Sequence, residues 1–262
     1  MELTHWSGRS VTLASSKDKV LAFANVWDNF IRSGLSIWPP PELVQKLYQS
    51  RHANAFVGDD RTLATSGLKT YYCDLQSVHS EDAVTWNCFG PLIYATSSVR
   101  EEFARSLLEL LQVPGSSRDA YVWLWRRIPH PDTLVPGGPE IDVGIITRDT
   151  VLLGEAKWLS GVGKNQGVNA DKDQIILRKE FCLKYGDVVF PEARHLVVFG
   201  ISIEGGVVTP AEASTKNDTV YMRDTTWKAI GDMRGLPHAK EFLAQLSWRL
   251  ERWRITSRRA MS

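Results

Sequence analysis

The chain has 262 residues, 43% of them hydrophobic, enough to bury one substantial core or a core plus a smaller subdomain. Its net charge of +1 gives no global field favouring nucleic acid, and the three cysteines, Cys73, Cys88 and Cys182, are scattered without the CxxC spacing of a zinc site or the pattern of a disulfide framework. With no signal-peptide pattern and no apolar run of membrane-spanning length, the expectation is a soluble, cytoplasmic protein with no membrane partner.

Residues 1–75 read as a mainly helical extension. An amphipathic helix is expected over 17–31 through Val20, Phe23, Val26, Trp27 and Phe30, and a short one over 42–48 after the run Pro39-Pro40-Pro41. From 76 onward a second domain is expected. Ser80 followed by Glu81 and Asp82 makes a helix start, with the N-cap and the acidic first turn in place. Pro91 is expected to kink or interrupt that helix. A further helix over 98–111 places Phe103, Leu107, Leu108, Leu110 and Leu111 on a core stripe, and 120–128 reads as a strand.

The most informative segment follows a Pro- and Gly-rich loop. Two apolar, β-branched runs, 141–147 and 150–153, flank Arg148-Asp149, the pattern of a tight hairpin. If Arg148 and Asp149 form the loop, Thr147 faces Thr150, and counting outward sets Asp142 across from Glu155 on one sheet face, with Lys157 two residues further along. Opposed residues have Cβ atoms roughly 4.5–5.5 Å apart, close enough for one ion to touch both carboxylates. Hard oxygen ligands of this kind suit Mg²⁺ or Mn²⁺, and a neighbouring lysine can orient water or stabilise a pentavalent phosphorus. The same trio could instead be a structural ion pair, but its neighbours Leu152, Leu153, Ala156, Trp158, Ile141, Val143, Ile145 and Ile146 predict strands buried on both faces, where charges are costly.

Beyond the hairpin, 161–167 reads as a Gly-rich loop unlike any nucleotide-binding phosphate loop, so no nucleotide cofactor is expected. An amphipathic helix over 171–185, closed by Gly186 at C′, and a central strand over 195–203 come next. A short helix is expected near 225–233 and a further helix with an apolar stripe over 239–254. The arginine- and tryptophan-bearing end, from Trp248 to Arg259, reads as a helix docking Trp248, Leu250 and Ile255 with arginines outside, or as a phosphate-contacting surface.

Pro139-Glu140-Ile141-Asp142, then Glu155-Ala156-Lys157 after a hairpin-length gap, resembles the signature of the PD-(D/E)XK nuclease superfamily, which includes many restriction and repair endonucleases. The element order over 80–203 resembles that superfamily's core of helix, three strands, helix and strand. The resemblance implies an α/β, restriction-endonuclease-like fold with a mixed central sheet flanked by helices. It makes Asp142, Glu155 and the Ala156 carbonyl metal ligands, Lys157 the catalytic lysine, and Glu81, with Asp82 second, the candidate for a further ligand from the first helix, the alternative being that these acidic residues only favour the helix N-terminus. Gln174 matches a glutamine that several branches carry on the helix after the hairpin. Arg178, one turn later, together with Lys164 and Lys172, would contact nucleic acid. The implied activity is a Mg²⁺- or Mn²⁺-dependent DNA endonuclease of a defence, restriction or repair system, targeted through a homodimer or a partner protein. An RNA-directed nuclease and a catalytically silent interaction module are the alternatives. No GxSxG, HExxH or GxxxxGK[ST] pattern supports another hydrolase or phosphotransferase.

Overall fold

A computed structural model describes residues 2–15, 21–32, 34, 37–49, 74–132, 138–161, 172–210, 212–213 and 219–260. The chain divides into two units, residues 1–88 with 238–262, and residues 89–237.

The first unit holds a three-stranded antiparallel sheet, β1 (Glu2–Thr4), β2 (Ser10–Ser15) and β3 (Leu21–Phe23). The helix expected over 17–31 is not formed across its described part. Leu21 pairs with Ser15 and Phe23 with Leu13, and Val26–Asn29 is a 3-10 turn capped by the Asn25 side chain. Phe23 is drawn into the sheet because its ring stacks on Trp248, 5.8 Å between centroids, in a cluster with Val11, Leu13 and Val78. That apolar contact outweighs the weak preference of a short segment for helix. The expected short helix is present as α1 (Pro41–Gln49). Helix α2 (Glu81–Ile93) begins as expected, with Ser80 Oγ accepting from Ala83 N at 3.2 Å. It runs through Pro91 without interruption, since the proline forfeits only the bond to the Asn87 carbonyl and two residues remain before the helix ends.

His5 ties the β1–β2 turn to the 3-10 turn. Its Nδ1 accepts from Ser7 N at 3.3 Å, so its Nε2 is the protonated nitrogen and donates to the Asp28 carbonyl at 2.9 Å. Burial pushes its pKa down to about 4. A histidine held neutral by the fold contributes stability above its unfolded value of about 6.5, and that contribution is lost as pH falls from there towards 4. The stability difference between wild type and His5→Gln, read by urea unfolding, is therefore expected to shrink between pH 7 and pH 4.5.

The second unit is α/β, a five-stranded mixed sheet flanked by helices. In sheet order its strands are β4 (Tyr121–Arg127), β5 (Glu140–Ile146), β6 (Thr150–Ala156), β7 (His195–Ser202) and β8 (Val220–Thr226). The first three are antiparallel neighbours, and β6, β7 and β8 run parallel. Helix α3 (Ser97–Leu111) buries Phe103, Ala104, Leu107, Leu108 and Leu111, while Leu110 of the expected stripe stands 37% exposed. Its last carbonyl, Leu111 O, accepts from Arg223 Nε of β8 at 3.0 Å.

Val151, Leu153, Leu196, Val198, Val220 and Met222 form one face of the sheet, covered by Ile175, Phe181 and Cys182 of α4 (Gln174–Val189). This helix starts at its cap Asp173, whose Oδ1 accepts from Ile176 N, and Gly186 lies inside it rather than beyond its end. A Cβ there would stand 2.4 Å from Leu196 Cδ1, so the glycine lets helix and strand approach closely. Helix α5 (Trp227–Gly231) is shorter than the helix expected there because β8 takes the residues before Trp227. In the first unit, α6 (Ala239–Ala260) carries the chain end. Among the described residues no helix is long and apolar enough to cross a membrane.

Candidate active site

The β5–β6 hairpin has the register counted from its loop. Thr147 N donates to Thr150 O at 2.9 Å, and Ile145 faces Leu152 and Val143 faces Gly154. The next opposed positions are Asp142 and Glu155, which puts both side chains on one face. The backbone ladder does not continue through them. By alternation the Ala156 N–H would meet the Ile141 carbonyl, but Asp142 Oδ2 accepts it instead, at 2.8 Å. Strand β5 remains paired with β4 at Ile141 and Glu140, so the two hairpin strands part where the carboxylates sit. Trp125, at the β4 register position facing Asp142, takes a positive φ of 54°. Such backbone is costly for a bulky residue and persists only where its surroundings hold it.

Glu155 is wholly buried, and cations cover both of its oxygens. Lys157 Nζ lies 2.6 Å from Oε1, and the Arg178 guanidinium is ion-paired with Oε2. Burial first, and the facing Asp142 carboxylate second, push Glu155 up to about 8 against the pull of Arg178 and Lys157. Lys157 is itself only 7% exposed. Its backbone is pinned from both sides, with its N–H donating to Ile201 O at 2.7 Å and its carbonyl accepting from Trp227 Nε1 at 2.8 Å. Ammonium and carboxylate are therefore set by the sheet and by an indole, not by a loop.

Asp142, Glu155, the Ala156 backbone and Lys157 are thus together, and Arg178 joins them from α4. Arg178 is completely buried. Besides Glu155 it donates to the Glu140 carbonyl at 2.6 Å and, through NH1, to the Gln174 carbonyl at 2.9 Å. Its charge is directed at a protein carboxylate rather than outward at a phosphate. Gln174 is the first residue of α4, one turn ahead of Arg178. Lys172 Nζ is held by Asp132 at 2.9 Å and Glu180 at 2.7 Å, and these bonds keep its ammonium protonated above the usual lysine range. Glu81 opens α2 in the first unit, where Thr85 Oγ1 donates to its carbonyl. Lys164 lies outside the described residues.

Composition of the buried stripe holds the signal for Arg178. Ile175, Arg178, Phe181 and Cys182 recur at helical spacing, which places the arginine among core residues. Trp227 and Asp224 carried no such signal. Asp224 shares a row with Glu155 across Gly200, yet it is a loop anchor whose carboxylate accepts from the backbone N–H groups of Gly206, Val207 and Val208. A side chain at Gly200 would strike Val207 and that carboxylate. Burial pushes the Cys182 thiol up to about 12 and Cys88 upward as well, which leaves neither poised as a nucleophile.

Among the described residues no group of three or more His, Cys, Asp or Glu side chains converges to hold a metal ion. The Asp142–Glu155 pair fits the narrower requirement of magnesium, which takes one or two protein carboxylates and keeps several waters. Comparison with protein-family models, with curated proteins and with solved structures returned no match to this chain.

Proposed function

We propose that the chain is a Mg²⁺- or Mn²⁺-dependent nuclease with a restriction-endonuclease-like core, acting as a DNA endonuclease of a defence, restriction or repair system. One observation carries the reading. A hairpin whose register opposes Asp142 and Glu155 also sets a buried lysine 2.6 Å from the glutamate, at the point where the strands separate. The order α3, β4, β5, β6, α4, β7 supports it as the helix, three strands, helix and strand of that core.

Asp142 and Glu155, with the Ala156 carbonyl, would hold the cation. When bound, such an ion neutralises charge on a scissile phosphate and makes water more acidic. Lys157 places a fixed positive charge beside the reacting phosphate, where it stabilises negative charge as that develops and orients the attacking water. Because the sheet and Trp227 hold its backbone, the ammonium is already in position when the substrate arrives. Gln174, at the start of α4, is the candidate for a polar contact to the phosphate or water.

One observation favours a second reading, a catalytically silent interaction module. Asp142 and Glu155 are matched in number by Lys157 and Arg178, so with both carboxylates ionised the group is also a self-balanced ion network. Purified protein incubated with supercoiled plasmid separates the two. Nicking or linearisation with Mg²⁺ or Mn²⁺, absent with EDTA and lost in Asp142→Ala, is the expected result. A single-stranded RNA arm tests the alternative substrate. No cleavage of either polymer with either metal, and no Mn²⁺ uptake by calorimetry with or without a DNA duplex, establishes the silent module.

A further inference from the structure

Both oxygens of Glu155 are covered by cations of the protein itself. Arg178 holds its place on Oε2 while two further bonds, to the Glu140 and Gln174 carbonyls, lock its guanidinium within the core. Asp142 meanwhile spends Oδ2 on the Ala156 N–H. With both carboxylates ionised, as metal ligands must be, the group of Asp142, Glu155, Lys157 and Arg178 is charge-balanced before any metal arrives. Adding a dication would leave an excess of two positive charges in a region where Glu155 has no contact with water. Each of two events removes one of those charges, the withdrawal of Arg178 from Oε2 and the arrival of a singly charged phosphodiester with the ion, and together they restore balance.

From this, and resting on the nuclease reading above, we infer that Arg178 is a positioning residue that competes with the divalent cation for Glu155, so that the site takes up its metal together with a substrate phosphodiester rather than before it. The guanidinium is suited to this role. Its bonds to the two carbonyls keep it beside the site when Oε2 is released, ready to return once the phosphate leaves. Its five N–H donors, spread over a planar fork, reach Glu155 and both carbonyls at once, whereas a lysine would offer three from a single nitrogen.

Mn²⁺ calorimetry without nucleic acid tests the inference on wild type, Arg178→Met, Arg178→Gln and Asp142→Asn, with circular dichroism confirming that each is folded. Arg178→Gln keeps a donor for the Glu140 carbonyl and serves if Arg178→Met does not fold. Removing the competing charge is expected to tighten Mn²⁺ binding tenfold or more in either Arg178 variant, and a short phosphorothioate DNA duplex is expected to tighten it in wild type by a similar factor. Asp142→Asn should bind weakly in every condition. If wild type binds Mn²⁺ as tightly as folded Arg178 variants, and the duplex changes nothing, the inference is overturned while the metal site stands. If no form binds Mn²⁺ at millimolar concentration, with or without duplex, the nuclease reading falls and takes the inference with it.

Discussion

Lys157→Met is expected to lower metal-dependent plasmid cleavage by about a hundredfold to a thousandfold, the usual consequence of removing one preorganised charge or donor from a transition state. The effect should lie in the chemical step. Lys157 is 7% exposed and its Nζ is within 2.6 Å of Glu155, so it contributes little open surface to substrate binding. Saturating DNA therefore should not rescue the variant, and single-turnover rates should fall while affinity for an uncleaved duplex stays near wild type. Methionine keeps the apolar length of the side chain, and Arg178 remains on Glu155, so the fold should survive. Trp227→Phe provides the matching control. It removes the indole donor to the Lys157 carbonyl but leaves the ammonium, and a smaller rate loss is expected because only the backbone pin is relaxed. Equal cleavage by wild type and Lys157→Met would remove the lysine from the mechanism.

The legible part of this site is its register. Arg148-Asp149 interrupts two apolar runs, and one hydrogen bond, Thr147 N to Thr150 O, then determines which residues oppose one another along β5 and β6. What could not be read is where that ladder stops. Asp142 caps the Ala156 N–H because β5 stays with β4, a consequence of pairing with a third strand that no local pattern records. Short strands were equally hidden. Phe23, Val26, Trp27 and Phe30 satisfy helical spacing, but three residues of β3 are too few to display alternation, and Trp248, more than two hundred positions away, decides their conformation. Strand β8 was obscured because Arg223 and Asp224 break its apolar run. Each has a tertiary partner, the Leu111 carbonyl for one and the 206–208 turn for the other.

The same kind of hidden partner predicts a large stability loss at Asn29. This side chain is wholly buried. Its Nδ2 donates to the carbonyls of Leu75 at 2.6 Å and Ser77 at 3.0 Å, and its Oδ1 accepts from the Arg249 guanidinium. Its own carbonyl accepts from Asn87 at 2.9 Å and Gln245 at 3.2 Å, so the residue joins four stretches of the first unit. Asn29→Ala leaves the Leu75 carbonyl and part of a fully buried guanidinium unsatisfied, while Ser77 O keeps its bond from Ser80 N at 3.0 Å; each group left unsatisfied costs about 1–3 kcal/mol. A total of about 3–5 kcal/mol is expected by urea unfolding, at the upper end for a single substitution. Arg249 aggravates the loss, since its remaining bonds, to the Val78 carbonyl and to the backbone carbonyl of residue 29, are to neutral acceptors and cannot offset the burial of a charge. Adding Arg249→Met to Asn29→Ala removes the stranded cation, so the double variant should be more stable than Asn29→Ala alone. If instead the two losses simply add, Asn29 and Arg249 act independently and the network does not hold this unit together.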